Sequence, residues 1–147
     1  MPGMTEVIRY FCDLNYPLGI VSNAQYYTPV MMNYFLTRRI NTDEAIEYFD
    51  PELTVFSYKL RKAKPDASIF DPVLDTLKAK YGIDAGQAAF VGNDMLKDIY
   101  PAAKRGMKTV FFAGDKRSLR LRADRAEVIG LEPDATITDL KQLKQIF

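Results

Sequence analysis

Apolar residues recur along the chain in short bursts separated by polar, glycine or proline breaks, and the spacing within each burst tells helix from strand. Val7, Ile8, Phe11 and Leu14 fall at helical intervals between Pro2-Gly3 and Asn15-Tyr16-Pro17, which predicts an amphipathic helix over 5–15. Leu18-Gly19-Ile20-Val21 is a continuous apolar run closed by Ser22-Asn23, the pattern of a buried parallel strand with polar groups at its carboxyl end. Thr28-Pro29, as N-cap and first helical residue, opens a second helix running to Arg38-Arg39. Asn41 with Glu44 resembles a capping box for a short helix that Asp50-Pro51 stops.

The β-branched and aromatic residues from Leu53 to Tyr58 predict a second strand, followed by a polar loop from Lys59 to Pro65. Asp66 can cap a long helix with the apolar stripe Ile69, Val73, Leu74, Leu77 and Tyr81 and a stop at Gly82. Ala88-Ala89-Phe90-Val91 reads as a third strand ending at Gly92-Asn93-Asp94, and a helix from Leu96 to Arg105, closed by Gly106, leads to a fourth strand from Thr109 to Phe112. A short strand at Ala135-Thr136-Ile137 precedes a last helix capped by Thr138 or Asp139. Strands alternating with helices imply an α/β class: a Rossmann-like three-layer α/β/α arrangement with a mostly parallel sheet and right-handed crossovers. In such sheets ligands bind at the carboxyl ends of the strands, so Ser22, Asn23, Lys64 and Asp94 are expected on one rim although they lie far apart in sequence.

Composition narrows the chemistry. At 147 residues, 48% hydrophobic and 27% charged, the chain fits a single domain over 1–147 and can bury a core without disulfides or structural metal. Histidine is absent, which excludes Ser-His-Asp and Cys-His nucleophile pairs, His-ligated zinc and haem on a proximal His. Chemistry must run on carboxylates, lysines, hydroxyls and backbone amides. A formal charge of +1 gives no global field for nucleic acid or an anionic membrane. No apolar run reaches the roughly 18–20 residues of a membrane span. The single Cys12, beside Tyr10, Phe11 and Leu14, is expected to be a buried thiol, and the chain to be cytoplasmic. Tyr26, Tyr27, Tyr34, Phe35, Phe111 and Phe112 are expected in the core. From Asp115 to Glu127, Lys116, Arg117, Arg120, Arg122 and Arg125 alternate with acids, which reads as a solvated face rather than a nucleic-acid patch.

Three groups of residues carry candidate chemistry. Asp94 and Asp98 place two carboxylates four apart where a strand becomes a helix, able to share a hard cation such as magnesium; a helix cap and a first-turn acid would look the same. Ser22 and Asn23 could offer a hydroxyl, an amide and successive N–H groups to a phosphate, or form a plain turn. Lys64, before Pro65, could be aimed at an anion or be solvated like its neighbours Lys59, Arg61 and Lys62.

Taken in order, an apolar strand ending in Ser22-Asn23, Lys64-Pro65 before a helix, and Phe90-Val91-Gly92-Asn93-Asp94 with Asp98 four on resemble the second, third and fourth motifs of the haloacid dehalogenase (HAD) superfamily. The resemblance implies a HAD-like hydrolase, most often a magnesium-dependent phosphatase of small phosphorylated metabolites working through an aspartyl-phosphate. It implies that Ser22 and Asn23 bind phosphate, that Lys64 neutralises charge on the nucleophile and the transferring group, and that Asp94 and Asp98 hold Mg2+. The family's first motif, Asp-x-Asp-x-Thr/Val on a strand, supplies the nucleophile and has no counterpart here. Its only lookalike, Asp13-Leu14-Asn15, ends a helical pattern and lies too near the strand at Leu18 for a parallel crossover. The chain therefore reads as the carboxyl-terminal part of a HAD core without its cap and central strand. It is expected to be inactive alone and to cover the gap as a homodimer or strand-swapped assembly, or to be a fragment. The alternative is a non-catalytic magnesium- or phosphate-binding remnant that works with a partner chain.

Overall fold

In the computed structural model, which describes residues 3–40 and 45–147, the strands are parallel and fall into two sheets. β1 (Ile20–Ser22) pairs with β2 (Thr54–Phe56), with Val21 opposite Val55. β3 (Ala89–Gly92), β4 (Lys108–Phe112) and β5 (Ala135–Ile137) form the second sheet in that order. Val91 lies opposite Val110, and Phe111 opposite Thr136.

Side chains alternate across a strand, so the partners of successive residues show which helix covers which face. On β4, Val110 and Phe112 pack with Val7 and Phe11 of α1 (Met4–Asp13) and with Leu143 of α6 (Leu143–Ile146). Phe111 points the other way, to Met95, Leu96, Ile99 and Val128. On β2, Phe56 packs with Leu36 of α2 (Thr28–Thr37), whereas Val55 packs with Val73 and Leu77 of α4 (Asp71–Tyr81) and Ala102 of α5 (Tyr100–Lys104). Helices thus cover both faces, the three-layer α/β/α arrangement that the alternation of elements predicts. Val21 and Val55 of one sheet share a core with Phe90 and Met107 of the other. Each sheet nevertheless keeps an unpaired inner edge: among the described strands, β1 bonds only to β2 and β3 only to β4. Val91, mid-strand on β3, is 36% exposed, unusual for a valine in a parallel sheet.

Several elements differ from the pattern's prediction. Ser57 and Tyr58 leave the second strand and open α3 (Ser57–Leu60), part of the segment read as a polar loop. Asp66 caps a 3-10 turn, Ala67–Phe70, rather than the long helix; α4 starts afresh at Asp71 with Pro72 in its first turn, and Gly82 ends it with φ 67, a conformation glycine adopts without steric cost. Pro101 has no N–H to donate, so the helix expected from Leu96 divides into a π-turn, Met95–Ile99, and α5. Asp139 caps a 3-10 turn ahead of α6. Cys12 is half-buried, not buried. Tyr26, Tyr27, Tyr34 and Phe35 are exposed, whereas Phe111 and Phe112 are buried as expected. The Asn41–Glu44 capping box lies outside the described residues. No helix among the described residues is long and apolar enough to cross a membrane.

Candidate functional site

Lys64 lies at the junction of the two sheets. Its backbone is held by the side chain of Asn23, just beyond β1: the Lys64 N–H donates to Asn23 Oδ1 at 2.8 Å, and Asn23 Nδ2 donates to the Lys64 carbonyl at 2.9 Å. This reciprocal pair fixes where the lysine side chain starts, and the Lys64-Pro65 peptide bond is cis. The buried ammonium donates to the Val21 carbonyl of β1 at 2.9 Å and to Asp98 Oδ1 at 2.5 Å, and sits 5.0 Å from the Phe90 ring centre of β3. A cation with little access to water is costly unless paired, and here a carboxylate, a carbonyl and an aromatic face share its charge.

Asp98 is satisfied on both oxygens. Its Oδ2 accepts the N–H groups of Asn93 and Asp94, each at 3.0 Å, while Oδ1 takes Lys64. Only glycine fits at position 92 beneath it, because a Cβ there would lie 2.3 Å from Asp98 Cβ. Asp94 caps the π-turn through Oδ1, which accepts from the N–H groups of Leu96 and Lys97 at 3.0 Å each. Its Oδ2 meets no backbone donor among the described residues and instead takes Arg122, from Nη2 at 2.8 Å and Nε at 3.2 Å. Burial works against the Asp94 charge, but Arg122 and the two N–H groups outweigh it and hold the carboxyl below its ordinary value. It is ionised across the ordinary pH range.

The fold therefore brings Asp94, Asp98 and Lys64 into one hydrogen-bonded cluster, with Ser22 at the end of β1 beside it in sequence to Asn23. The Asn23 side chain spends its carbonyl oxygen and one of its two amide N–H groups on Lys64, and the half-buried Ser22 hydroxyl makes no hydrogen bond among the described residues. The two carboxylates offer hard oxygen donors, of the kind that suits magnesium better than zinc. Magnesium is commonly held by one or two carboxylates with water and substrate phosphate completing the shell. Asp94 and Asp98 are the residues that would hold it, and Asp94 Oδ2, which Arg122 now engages, is the oxygen that would have to be given up to the cation. Arg122 was missed in the sequence. It lies in a segment whose mixed charges read as solvent-facing, and no residue spacing links it to Asp94, 28 positions away.

No family model matches the chain. It is 30% identical over 112 residues to the glyceraldehyde 3-phosphate phosphatase of Pyrococcus abyssi (strain GE5 / Orsay), covering 76% of this chain and 42% of that protein. The HAD phosphatase of Thermococcus onnurineus superposes with a TM-score of 0.71 at 25% identity, over 99% of this chain and 57% of its own. The chain has a HAD-like fold. Two more distant structures share it: the HAD-hydrolase YfnB of Bacillus subtilis, bound to magnesium (TM-score 0.72, 19% identity, 99% of this chain and 55% of that one), and the 2-haloacid dehalogenase of Pseudomonas syringae pv. Tomato DC3000 (TM-score 0.65, 23% identity, 99% and 52%). The chain spans about half the length of these HAD-like relatives.

Proposed function

We propose that this chain supplies the magnesium- and phosphate-binding rim of a cytoplasmic phosphatase for small phosphorylated metabolites. The observation that carries the reading is the buried Lys64–Asp98 pair, which joins the ends of β1 and β3 directly beside Asp94. Similarity to a phosphatase of glyceraldehyde 3-phosphate supports a small phosphorylated substrate, and the magnesium-bound HAD-like neighbour supports that cation. Magnesium at Asp94, with Asp98 behind it, would neutralise charge on the phosphoryl oxygens. Ser22 would donate to one of those oxygens. Lys64, aimed by Asn23, would balance the negative charge of an attacking carboxylate and of the group in transfer.

The 147 residues contain no Asp-x-Asp sequence, so in this reading the attacking aspartate and its acid-base partner come from elsewhere, on a longer chain or a second one. The attacking carboxylate forms an O–P bond as the ester O–P bond breaks, and the leaving alcohol takes a proton from the second aspartate. Water then attacks phosphorus, passing its proton to the second aspartate as the bond between the carboxylate oxygen and phosphorus breaks, which releases phosphate and restores both aspartates. The unpaired inner edges of β1 and β3 favour a strand-swapped homodimer or a strand donated by a partner.

Assayed alone with p-nitrophenyl phosphate and magnesium, the 147-residue chain is expected to show negligible turnover, since losing a covalent nucleophile costs several orders of magnitude. Magnesium-dependent hydrolysis lost in Asp94→Ala would overturn the externally supplied nucleophile. A non-catalytic binding role with a partner chain is the second reading, favoured by that same lack of an attacking group. Phosphate binding that requires magnesium, with no activity after a strand-donating partner is added, would select it.

A further inference from the structure

Among the described residues, Asp94 Oδ2 is the one carboxylate oxygen of the Asp94–Asp98 pair that no backbone N–H or lysine engages, and a guanidinium holds it. Three contacts make that hold: Arg122 Nη2 at 2.8 Å from Oδ2, and Nε at 3.2 and 3.3 Å from the two oxygens. The segment bearing Arg122 is anchored to the site by its backbone. Met95 N donates to the Arg120 carbonyl and Arg120 N to the Asn93 carbonyl, each at 2.9 Å, and Asn93 Nδ2 donates to the Ser118 carbonyl at 3.0 Å. Leu119 packs with Met95, Leu96 and Ile99 beneath it. Arg122 itself has φ 55, a left-handed conformation that is unfavourable for a residue with a Cβ and that needs an offsetting interaction. Among the described residues, Asp94 is the only carboxylate its side chain bonds.

A guanidinium does not lose its proton at neutral pH, so Arg122 cannot step aside by titrating. A divalent cation at Oδ2 would sit in contact distance of the oxygen that Nη2 now occupies, and the two positive charges cannot share it. We propose that Arg122 and magnesium are alternative occupants of Asp94: Arg122 holds the carboxylate in place when the cation is absent and must be displaced when it binds. The inference rests on the magnesium reading of the site. The backbone bridge at Arg120 explains how the exchange can be local, since the guanidinium can swing away while the segment stays attached.

The test is calorimetric titration of magnesium chloride into the full 147-residue chain and its variants. Arg122→Gln is expected to bind magnesium about fivefold or more tightly, the size of shift that losing one competing ion pair between a buried carboxylate and a partly exposed guanidinium gives. Arg117→Gln removes the same charge from an exposed position on the same segment and is expected to change affinity by less than about twofold, because exposed charges at a distance are screened. Arg122→Lys keeps the charge but not the planar fork and is expected to fall between; it carries the comparison if Arg122→Gln folds poorly. Unchanged or weaker binding in Arg122→Gln, or an equal gain in Arg117→Gln, overturns the exchange. No saturable heat in any of the proteins, wild type included, overturns the magnesium reading instead, and the exchange with it.

Discussion

Lys64→Ala is expected to destabilise the protein by about 3 kcal/mol, because it strips the partner from a carboxylate that stays buried. Lys64 and Asp98 side chains are 8% and 11% exposed, so water cannot replace the lost ammonium. The deletion also removes the donor from the Val21 carbonyl, the only side-chain hydrogen bond described between Lys64 and β1. Chemical unfolding in urea measures the effect. The double variant Lys64→Met with Asp98→Asn should cost less than the two single changes summed, since neither charge is then left alone. A loss under about 1 kcal/mol for Lys64→Ala would mean that the lysine is solvated and that the junction between the sheets is not built on it.

Gly92→Ala should cost a comparable amount by a different route. A Cβ at this position would lie 2.3 Å from Asp98 Cβ, 2.6 Å from its Cγ and 2.7 Å from its Oδ2. Asp98 has little room to retreat, held by Lys64 on one oxygen and by the Asn93 and Asp94 N–H groups on the other. Either the strand or the carboxylate must move, and overpacking of this kind typically costs about 1–3 kcal/mol. Gly86→Ala is the matched control: the nearest atom is the Gly106 carbonyl oxygen at 3.9 Å, ordinary contact, so the change should stay within about 1 kcal/mol of wild type. Equal unfolding midpoints for both alanine variants would contradict the packing described beneath Asp98.

How far the sequence could be read depended on whether the signal was local. The strand cores at Val21, Val55 and Val110 and the caps at Asp66 and Asp139 were legible because apolar runs and short polar side chains act over a few residues. Asp94 and Asp98 stood out through their spacing, and Lys64 through the order of motifs, but neither signal shows that Lys64 Nζ reaches Asp98. The resemblance implies phosphate binding at Asn23 but says nothing of a structural bond there. The Asn23 amide bonds the Lys64 backbone, 41 residues on, a contact that only the crossover of the chain creates. The aromatic residues on and before α2 misled for the opposite reason: apolar on nearly every side, they carry no periodicity to say which face is covered, and Tyr26, Tyr27, Tyr34 and Phe35 lie exposed.

A magnesium site at Asp94 in a HAD-like rim is tested most directly by titrating magnesium into the 147-residue chain and into Asp94→Asn. One saturable site in the wild type, absent from a folded Asp94→Asn, is the predicted result. No saturable binding in the wild type, or equal binding in the variant, would contradict it.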